Sequence, residues 1–277
     1  MIMIGATFVF AVQDGISRHL AANYSVFLIV MIRYWFFAAF VVALALRQPG
    51  GLRAATQSAT PGLQVLRAIL LVSEICILVY AFVILGLVAS HAIFACYPLI
   101  ITALAGPVLG ERAGWRRWLA VAAGFIGVLI ILRPGFAAVS PGAGIALLSA
   151  AMFAIYGLLT RLVARRDSTS VSFFYTGTVG ALAMTAVGIW FWEPLHQDDW
   201  AWMATLCVTG ALGHWMLIKA YDLSEASEVQ PFAYFQLVFA AMIGISVFDE
   251  TLELPVAIGA AIIVAAGIFT LRRQRMR

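Results

Sequence analysis

The sequence predicts an all-α integral membrane protein of ten transmembrane helices, built as two inverted five-helix repeats. Three observations predict it. Of 277 residues, 64% are hydrophobic and only 11% charged, against roughly 45 to 50% and about 25% in soluble domains. Apolar runs of helical, bilayer-crossing length recur along the whole chain. A set of residues also recurs at close to half the chain length. Apolar surface is driven from water by about 25 cal/mol per Å², so a chain this hydrophobic all round is stable only where its outer surface meets lipid.

The elements follow from a length requirement. About 20 apolar residues cross the roughly 30 Å hydrocarbon core, and charges and Pro/Gly clusters mark where such runs stop. Cutting there gives ten segments near 2–20, 26–46, 64–85, 89–109, 115–132, 142–162, 171–192, 200–219, 226–247 and 255–271. The first is apolar from Met1 to Ala11 but has no basic leader and no small-residue cleavage site, so it reads as a span and not as a signal peptide. The second ends at Arg47, and the longest connection follows, with Gln48-Pro49-Gly50-Gly51 and Thr60-Pro61-Gly62. The third carries Arg67 and Glu74, and the fourth contains Pro98 and closes at Gly110-Glu111. The fifth runs from Trp115 towards Arg133-Pro134, and the sixth ends on Arg161. The seventh stops before Glu193-Pro194, the eighth reaches Lys219, the ninth stops at Asp249-Glu250, and the tenth at Arg272. No connection is long enough for a soluble domain. Cys76, Cys96 and Cys207 lie in separate apolar segments, as buried small hydrophobes and not as a disulfide or zinc framework.

Orientation follows from cationic residues, which short cytoplasmic loops retain. One side receives Arg47, Arg53, Arg112, Arg116, Arg117, Arg161, Arg165, Arg166, Lys219, Arg272, Arg273, Arg275 and Arg277; the other receives only Arg18 and Arg133. The poor side instead carries Glu193, Asp198, Asp199, Asp249, Glu250 and Glu253. Both termini are therefore expected in the cytoplasm, in a multi-pass protein of the inner (plasma) membrane. The net charge of +4 reports this orientation; no nucleic-acid partner is implied.

The repeat has its own register. Phe10-Ala11 and Arg18 recur 143 residues later as Phe153-Ala154 and Arg161; Ala89-Ser90 and Tyr97 recur 137 later as Ala226-Ser227 and Tyr234. Glu111 matches Glu250, Gly127 matches Gly267 and Arg133 matches Arg273, at offsets of 139 or 140. The expected units are 1–135 and 136–277. Five helices is an odd number, so the second unit enters the membrane upside down, and the basic loop at Glu111–Arg117 has an acidic counterpart at Asp249–Glu253. Inverted repeats permit alternating access around a site near the midplane.

With Arg33 in the second segment, Pro98 and Gly110-Glu111 in and after the fourth, and Trp118 with Gly124-Phe125-Ile126-Gly127-Val128 running to Arg133-Pro134, the chain resembles the drug/metabolite transporter superfamily. The similarity is to its ten-helix branch with two EamA-type domains. The second repeat departs from the pattern: Phe235 stands where a proline is expected, Pro231 lies four residues earlier, and Gly-Glu has become Asp249-Glu250. The resemblance implies export of small metabolites, with amino-acid exporters, including those for aromatic amino acids, the most similar members.

Ionisable groups inside spans need a partner or a function. Glu74 is expected either to bind a substrate amine or proton, or to be a structural carboxylate paired with Arg33; both readings stand open. Asp14 and Arg18 have the spacing of an intrahelical ion pair. Gln13 has Tyr156 as its repeat mate, so the two are candidates for one cavity, or for ordinary helix-to-helix bonds. Tyr97 and Tyr234 are repeat mates and midplane candidates, against the plainer reading of aromatics packed on helices or lipid. Pro98 is expected to kink its helix, and His91 to lie solvated near the outer interface. His214 and Trp215 precede Lys219 by a turn; Trp215, Lys219 and Asp222 share a face, with Trp215 able to stack on a planar or cationic solute and Lys219 read as snorkelling. The expected substrate contacts are thus Gln13, Glu74, Tyr97, Tyr156, His214, Trp215 and Tyr234, with Arg33, Arg67 and Pro98 structural or gating.

Other functions fit less well. His19, His91, His196 and His214 form no HExxH pair, and there is neither a GxSxG nor a GxxxxGK[ST] stretch, so neither an intramembrane enzyme nor an ATP-driven pump is expected. Nothing resembles a selectivity filter. A flippase for lipid-linked or other amphipathic substrates, or a drug exporter of the same fold, is the alternative. The expected partners are a small-molecule solute and membrane lipids, with no cofactor and no metal. With both repeats in one chain, a monomer suffices.

Overall fold

The computed structural model describes residues 1–110, 115–132 and 141–274. Glu111, Arg133, Pro134 and the cationic residues 112, 275 and 277 lie outside the described residues. So do the side chains of Arg116, Arg117, Ser227, Pro231, Arg272 and Arg273.

All regular structure among the described residues is helical. The first half holds α1 (Ile2–Ala21), α2 (Val26–Arg47), a short α3 (Gly51–Thr56), α4 (Pro61–Leu85), α5 (Leu87–Phe94), α6 (Tyr97–Leu109) and α7 (Trp115–Leu132). The second holds α8 (Pro141–Val163), α9 (Thr169–Gly188), α10 (Asp199–Leu223), α11 (Ala226–Ala233), α12 (Phe235–Phe248) and α13 (Leu254–Gln274). Each expected segment is helical. Among the described residues, six stretches are long and apolar enough to cross a bilayer: Val26–Arg47, Pro61–Leu85, Leu87–Leu109, Pro141–Val163, Thr169–Phe191 and Asp199–Leu223. The other expected spans do not meet that measure of length and composition. Gln13, Asp14, Arg18 and His19 crowd the second half of α1, and α12 and α13 offer only shorter apolar runs. The chain is a multi-pass membrane protein.

Local chemistry sets the helix ends. Pro61 opens α4 where its missing N–H is not needed, and Ser168 caps α9 by accepting from the Val171 amide at 3.3 Å. The fourth and ninth segments are each broken, at Ala95–Cys96 and at Tyr234. Pro98 sits in the first turn of α6, just after the break, so the expected disturbance of the helix takes the form of an interruption in the preceding turn. The ninth segment breaks at Tyr234 with Phe235 in the proline's place, so the interruption does not depend on a proline there.

α1 packs on α10 and α12, α4 on α8 and α9, α2 on α9, and α7 on α13. The last pair approaches closely because both sides lack side chains at the crossing: a Cβ on Gly127 would stand 2.7 Å from the Gly259 carbonyl. Trp190, Trp192, Trp200 and Trp202 are exposed around the turn between α9 and α10, with Trp192 stacked on Trp35, which is the aromatic girdle of a membrane interface.

Candidate functional site

A small cavity of about 30 Å³ lies where α1, α4, α5, α8, α10 and α12 meet. Its polar lining is Gln13 and Asp14 from α1, Glu74 from α4, His214 from α10 and Gln236 from α12; Phe10, Phe94 and Phe153 supply aromatic walls. That space holds a water or two and no metabolite, so admitting one requires the helices to part.

Two carboxylates stand in this centre with different partners. Asp14 Oδ2 accepts from Gln236 Nε2 at 3.1 Å and lies 3.1 Å from His91 Nε2; His91 Nδ1 is 3.1 Å from the Leu87 carbonyl. Both ring nitrogens of His91 thus lie against oxygen atoms, one from α1 and one from the backbone of α5. Phe82 stacks on the ring at 5.1 Å. Glu74 is buried and accepts from Ser149 Oγ at 2.6 Å; no cation among the described residues forms an ion pair with it. Among the described residues, Gln13 Oε1 and both ring nitrogens of His214 in this lining have no hydrogen-bond partner, and outside the lining neither have Tyr34 Oη and Arg33 Nε and Nη2 on α2.

The two ends of the molecule are tied shut across the halves. Glu250, beyond α12, accepts from the Leu87 and Val88 amides at 2.7 Å each and forms an ion pair with Arg18. The Arg18 guanidinium also lies 4.1 Å over the Phe248 ring. Gly86 has φ 82, and a Cβ there would stand 2.7 Å from Glu250 Oε1, so only glycine fits beneath the carboxylate. At the other end, Asp167 between α8 and α9 accepts from Ser58 Oγ at 2.5 Å, the Ala59 amide at 2.7 Å, Gln64 Nε2 at 2.9 Å and Thr60 Oγ1 at 3.2 Å. Burial pushes the Asp167 carboxyl up, but these hydrogen bonds outweigh it and hold it below its ordinary value. Residues 64 and 86 bracket α4, so at 1.5 Å per residue the two ties are roughly 30 Å apart.

Of the expected contacts, the structure brings Gln13, Glu74 and His214 together at the cavity. Several expectations are corrected. Arg33 does not pair with Glu74, because Ser149 occupies the carboxylate and two guanidinium nitrogens remain without partners. Asp14 and Arg18 do not pair: Asp14 faces His91 and Gln236, while Arg18 reaches Glu250. Tyr156 does not face Gln13 across the cavity, since its hydroxyl accepts from Arg67 Nη1 at 3.2 Å. Arg67 also donates to Gln64 Oε1, the Ser172 carbonyl and Thr176 Oγ1. Tyr97 is packed on Phe94 and Phe153, one layer behind the cavity wall, and Tyr234 is buried at the α11–α12 break. Trp215 is 43% exposed on the outward face of α10, off the cavity. Lys219 pairs with Asp222 at 2.8 Å. His91 is buried, not solvated. Asp14, Gln236 and the aromatic walls are site residues that sequence reasoning missed; a glutamine inside the apolar run of α12 was the available signal.

A buried polar centre within an all-helical membrane fold, with contacts joining the halves at both ends, defines the class: a transporter of small metabolites. The chain belongs to the EamA-like transporter family, which matches residues 1–133 and again 140–272, within the drug/metabolite transporter superfamily. It is similar to an S-adenosylmethionine uptake transporter of Rickettsia prowazekii, 24% identical over 96% of this chain and 89% of that one. It is also similar to a riboflavin transporter of Vibrio cholerae, 27% identical over 96% and 90%. A solved crystal structure with 17% identity superposes with a TM-score of 0.71 over 99% of both chains, which shows the shared fold.

Proposed function

We propose that this protein is a secondary transporter that moves a small amphipathic metabolite across the inner membrane by alternating access around the Asp14–Glu74–His214 centre. The observation that carries the reading is the buried polar centre itself, with the Glu74 carboxyl in no ion pair among the described residues, unfilled polar atoms and phenylalanine walls, set between two ties. Opening the Glu250 tie with the Asp167 tie closed exposes the centre to one side; the reverse exposes it to the other.

This reading takes the chain as ten spans in two inverted units, 1–135 and 136–277, with both termini cytoplasmic. Matched packing supports it: α1 on α10 mirrors α8 on α4, and α1 on α12 mirrors α8 on α6. The double family match supports it too. One chain supplies both units, so a monomer is sufficient. The solute is an amino acid or a metabolite of similar size with an aromatic or otherwise planar part, which Phe10, Phe94 and Phe153 suit. The names of the two relatives point towards nucleoside-like and flavin-like solutes and widen the candidates beyond threonine, methionine, phenylalanine and tryptophan. The test is flux in proteoliposomes with these four amino acids, S-adenosylmethionine and riboflavin, with and without a pH gradient. Saturable flux of any one supports the reading. Flux equal to empty vesicles for all of them contradicts it and favours a lipid-linked substrate.

A further inference from the structure

His91 is buried yet absent from the cavity lining, and the transport reading gives it no task. Its two ring nitrogens reach different parts of the molecule. Nε2 lies 3.1 Å from Oδ2 of Asp14, which lines the cavity, and Nδ1 lies 3.1 Å from the Leu87 carbonyl. The amide of that same Leu87 donates to Glu250 Oε1 at 2.7 Å, and Glu250 pairs with Arg18, one helical turn beyond Asp14 on α1. The contacts therefore close a circuit through Asp14, His91, Leu87, Glu250 and Arg18, with the cavity at one point and the Glu250 tie at another.

α5 is suited to pass a displacement round this circuit. It is eight residues long, set off from α4 by Gly86 at φ 82 and from α6 by the break at Ala95–Cys96, so it is a short rod between two joints. Phe82 stacks on the imidazole with the planes 9° apart, and Phe94 meets it edge to face. A ring clamped in this way follows a shift of Asp14 by moving its own helix, since rotation in place would break the stack. Asp14 Oδ2 also accepts from Gln236 Nε2 at 3.1 Å, so a polar group of a solute entering the centre competes with His91 and Gln236 for this carboxyl.

We propose that His91 is a positioning residue that couples occupancy of the centre to the Glu250 tie. A solute group that engages Asp14 releases the imidazole, the first turn of α5 loses its anchor to α1, and the Leu87 and Val88 amides loosen from Glu250. This rests on the transport reading above and adds to it the link by which a filled centre opens one end.

Hydrogen exchange of the Leu87 and Val88 amides reads the tie directly, because Glu250 holds both; the Ala59 amide, held by Asp167 at 2.7 Å, reads the opposite end. The variants are His91→Phe, which keeps a ring and loses both polar contacts, His91→Gln, which keeps an amide donor for Asp14 and drops the Leu87 contact, Asp14→Asn, and the double variant of Asp14→Asn with His91→Phe. Each single variant is expected to speed Leu87 and Val88 exchange by about tenfold, with Ala59 within about twofold of wild type. The double variant should be no faster than either single one, as members of one chain of contacts require. In wild type, whichever flux probe saturates should speed the same two amides, and in His91→Phe it should not. Maximal flux of His91→Phe should fall with its half-saturation concentration within about twofold.

Unchanged exchange in the His91 variants overturns the proposal. So does an Ala59 amide that speeds up in step, which is general loosening, or a double variant in which the two effects multiply to about a hundredfold. If His91→Phe fails to fold, His91→Gln and Asp14→Asn carry the same comparison. Any of the contrary exchange results beside saturable wild-type flux removes the coupling alone. Flux equal to empty vesicles for every probe removes the transport reading and the coupling with it.

Discussion

Ser149 donates a 2.6 Å hydrogen bond to Glu74 and so joins α8 to α4 at the centre of the molecule. The bond ties one half to the other through a carboxyl group that forms no ion pair among the described residues. If Glu74 carries the proton that drives transport, Glu74→Gln leaves a folded protein whose flux no longer depends on pH. Proteoliposome flux measured from about pH 6 to about pH 8 checks this, and an unchanged pH dependence removes the role. Ser149→Ala strips the carboxylate of its donor and is expected to lower stability by about 1 to 3 kcal/mol.

The Glu250 tie makes a second prediction. Glu250→Ala removes the acceptor of two helix-terminal amides and the partner of Arg18. It is expected to open that end, so that a cysteine placed at Gln13 reacts faster with a membrane-impermeant thiol reagent from the side of the Arg18–Glu250 tie. Gly86→Ala disturbs the same tie from the other partner, because its Cβ meets the carboxylate at 2.7 Å, and about 1 to 3 kcal/mol of destabilisation is expected. Labelling rates equal to those of the parent cysteine protein would mean that Glu250 is not a closing contact.

The Asp167 tie is pH-sensitive in a defined direction. Its folded carboxyl is held below the ordinary value, so its contribution is fully present above the unfolded value near 4 and is lost as pH falls through the lower, folded value. Asp167→Asn, which keeps one acceptor of two, is expected to melt several degrees below wild type at neutral pH. The gap should close in acid, below about pH 4. A constant gap across that range contradicts the assignment.

Side chains divided between cavity and scaffold should separate in kinetics. Gln13→Ala is expected to raise the half-saturation concentration with little change in melting temperature, since its Oε1 bonds nothing in the fold. Tyr97→Ala should do the reverse, because its ring is packed between Phe94 and Phe153. Trp215→Ala, on the outward face, should leave the half-saturation concentration within about twofold. Saturation curves paired with thermal unfolding of the three variants decide this.

Composition and run length disclosed the helical membrane fold, because a bilayer imposes one length on every crossing segment. Run length is a weaker guide where α1 trades apolar residues for the polar groups of the site. Gln13, Glu74 and His214 were legible as polar residues inside apolar runs, which need interior partners. Their partners were not legible. Asp14 and Arg18 are four residues apart and look like a pair, yet tertiary packing offers each a better counterpart, His91 for one and Glu250 for the other. Trp215 shares a helical stripe with Lys219, but periodicity identifies a face without saying whether lipid or protein covers it. The repeat offset aligned Tyr156 with Gln13, and the structure has put the tyrosine to use under Arg67 instead.

The central claim is transport through the Asp14–Glu74 centre. Its most direct measurement is saturable flux of the amino-acid, S-adenosylmethionine and riboflavin probes into proteoliposomes holding wild type or Asp14→Asn, at matched amounts of folded protein. The account predicts saturable flux of at least one probe in wild type. It predicts a fall of about tenfold or more in the variant, because the substitution replaces the carboxyl group whose Oδ2 is shared by His91 and Gln236. Wild-type flux no greater than that of empty vesicles, or undiminished flux in Asp14→Asn, contradicts it.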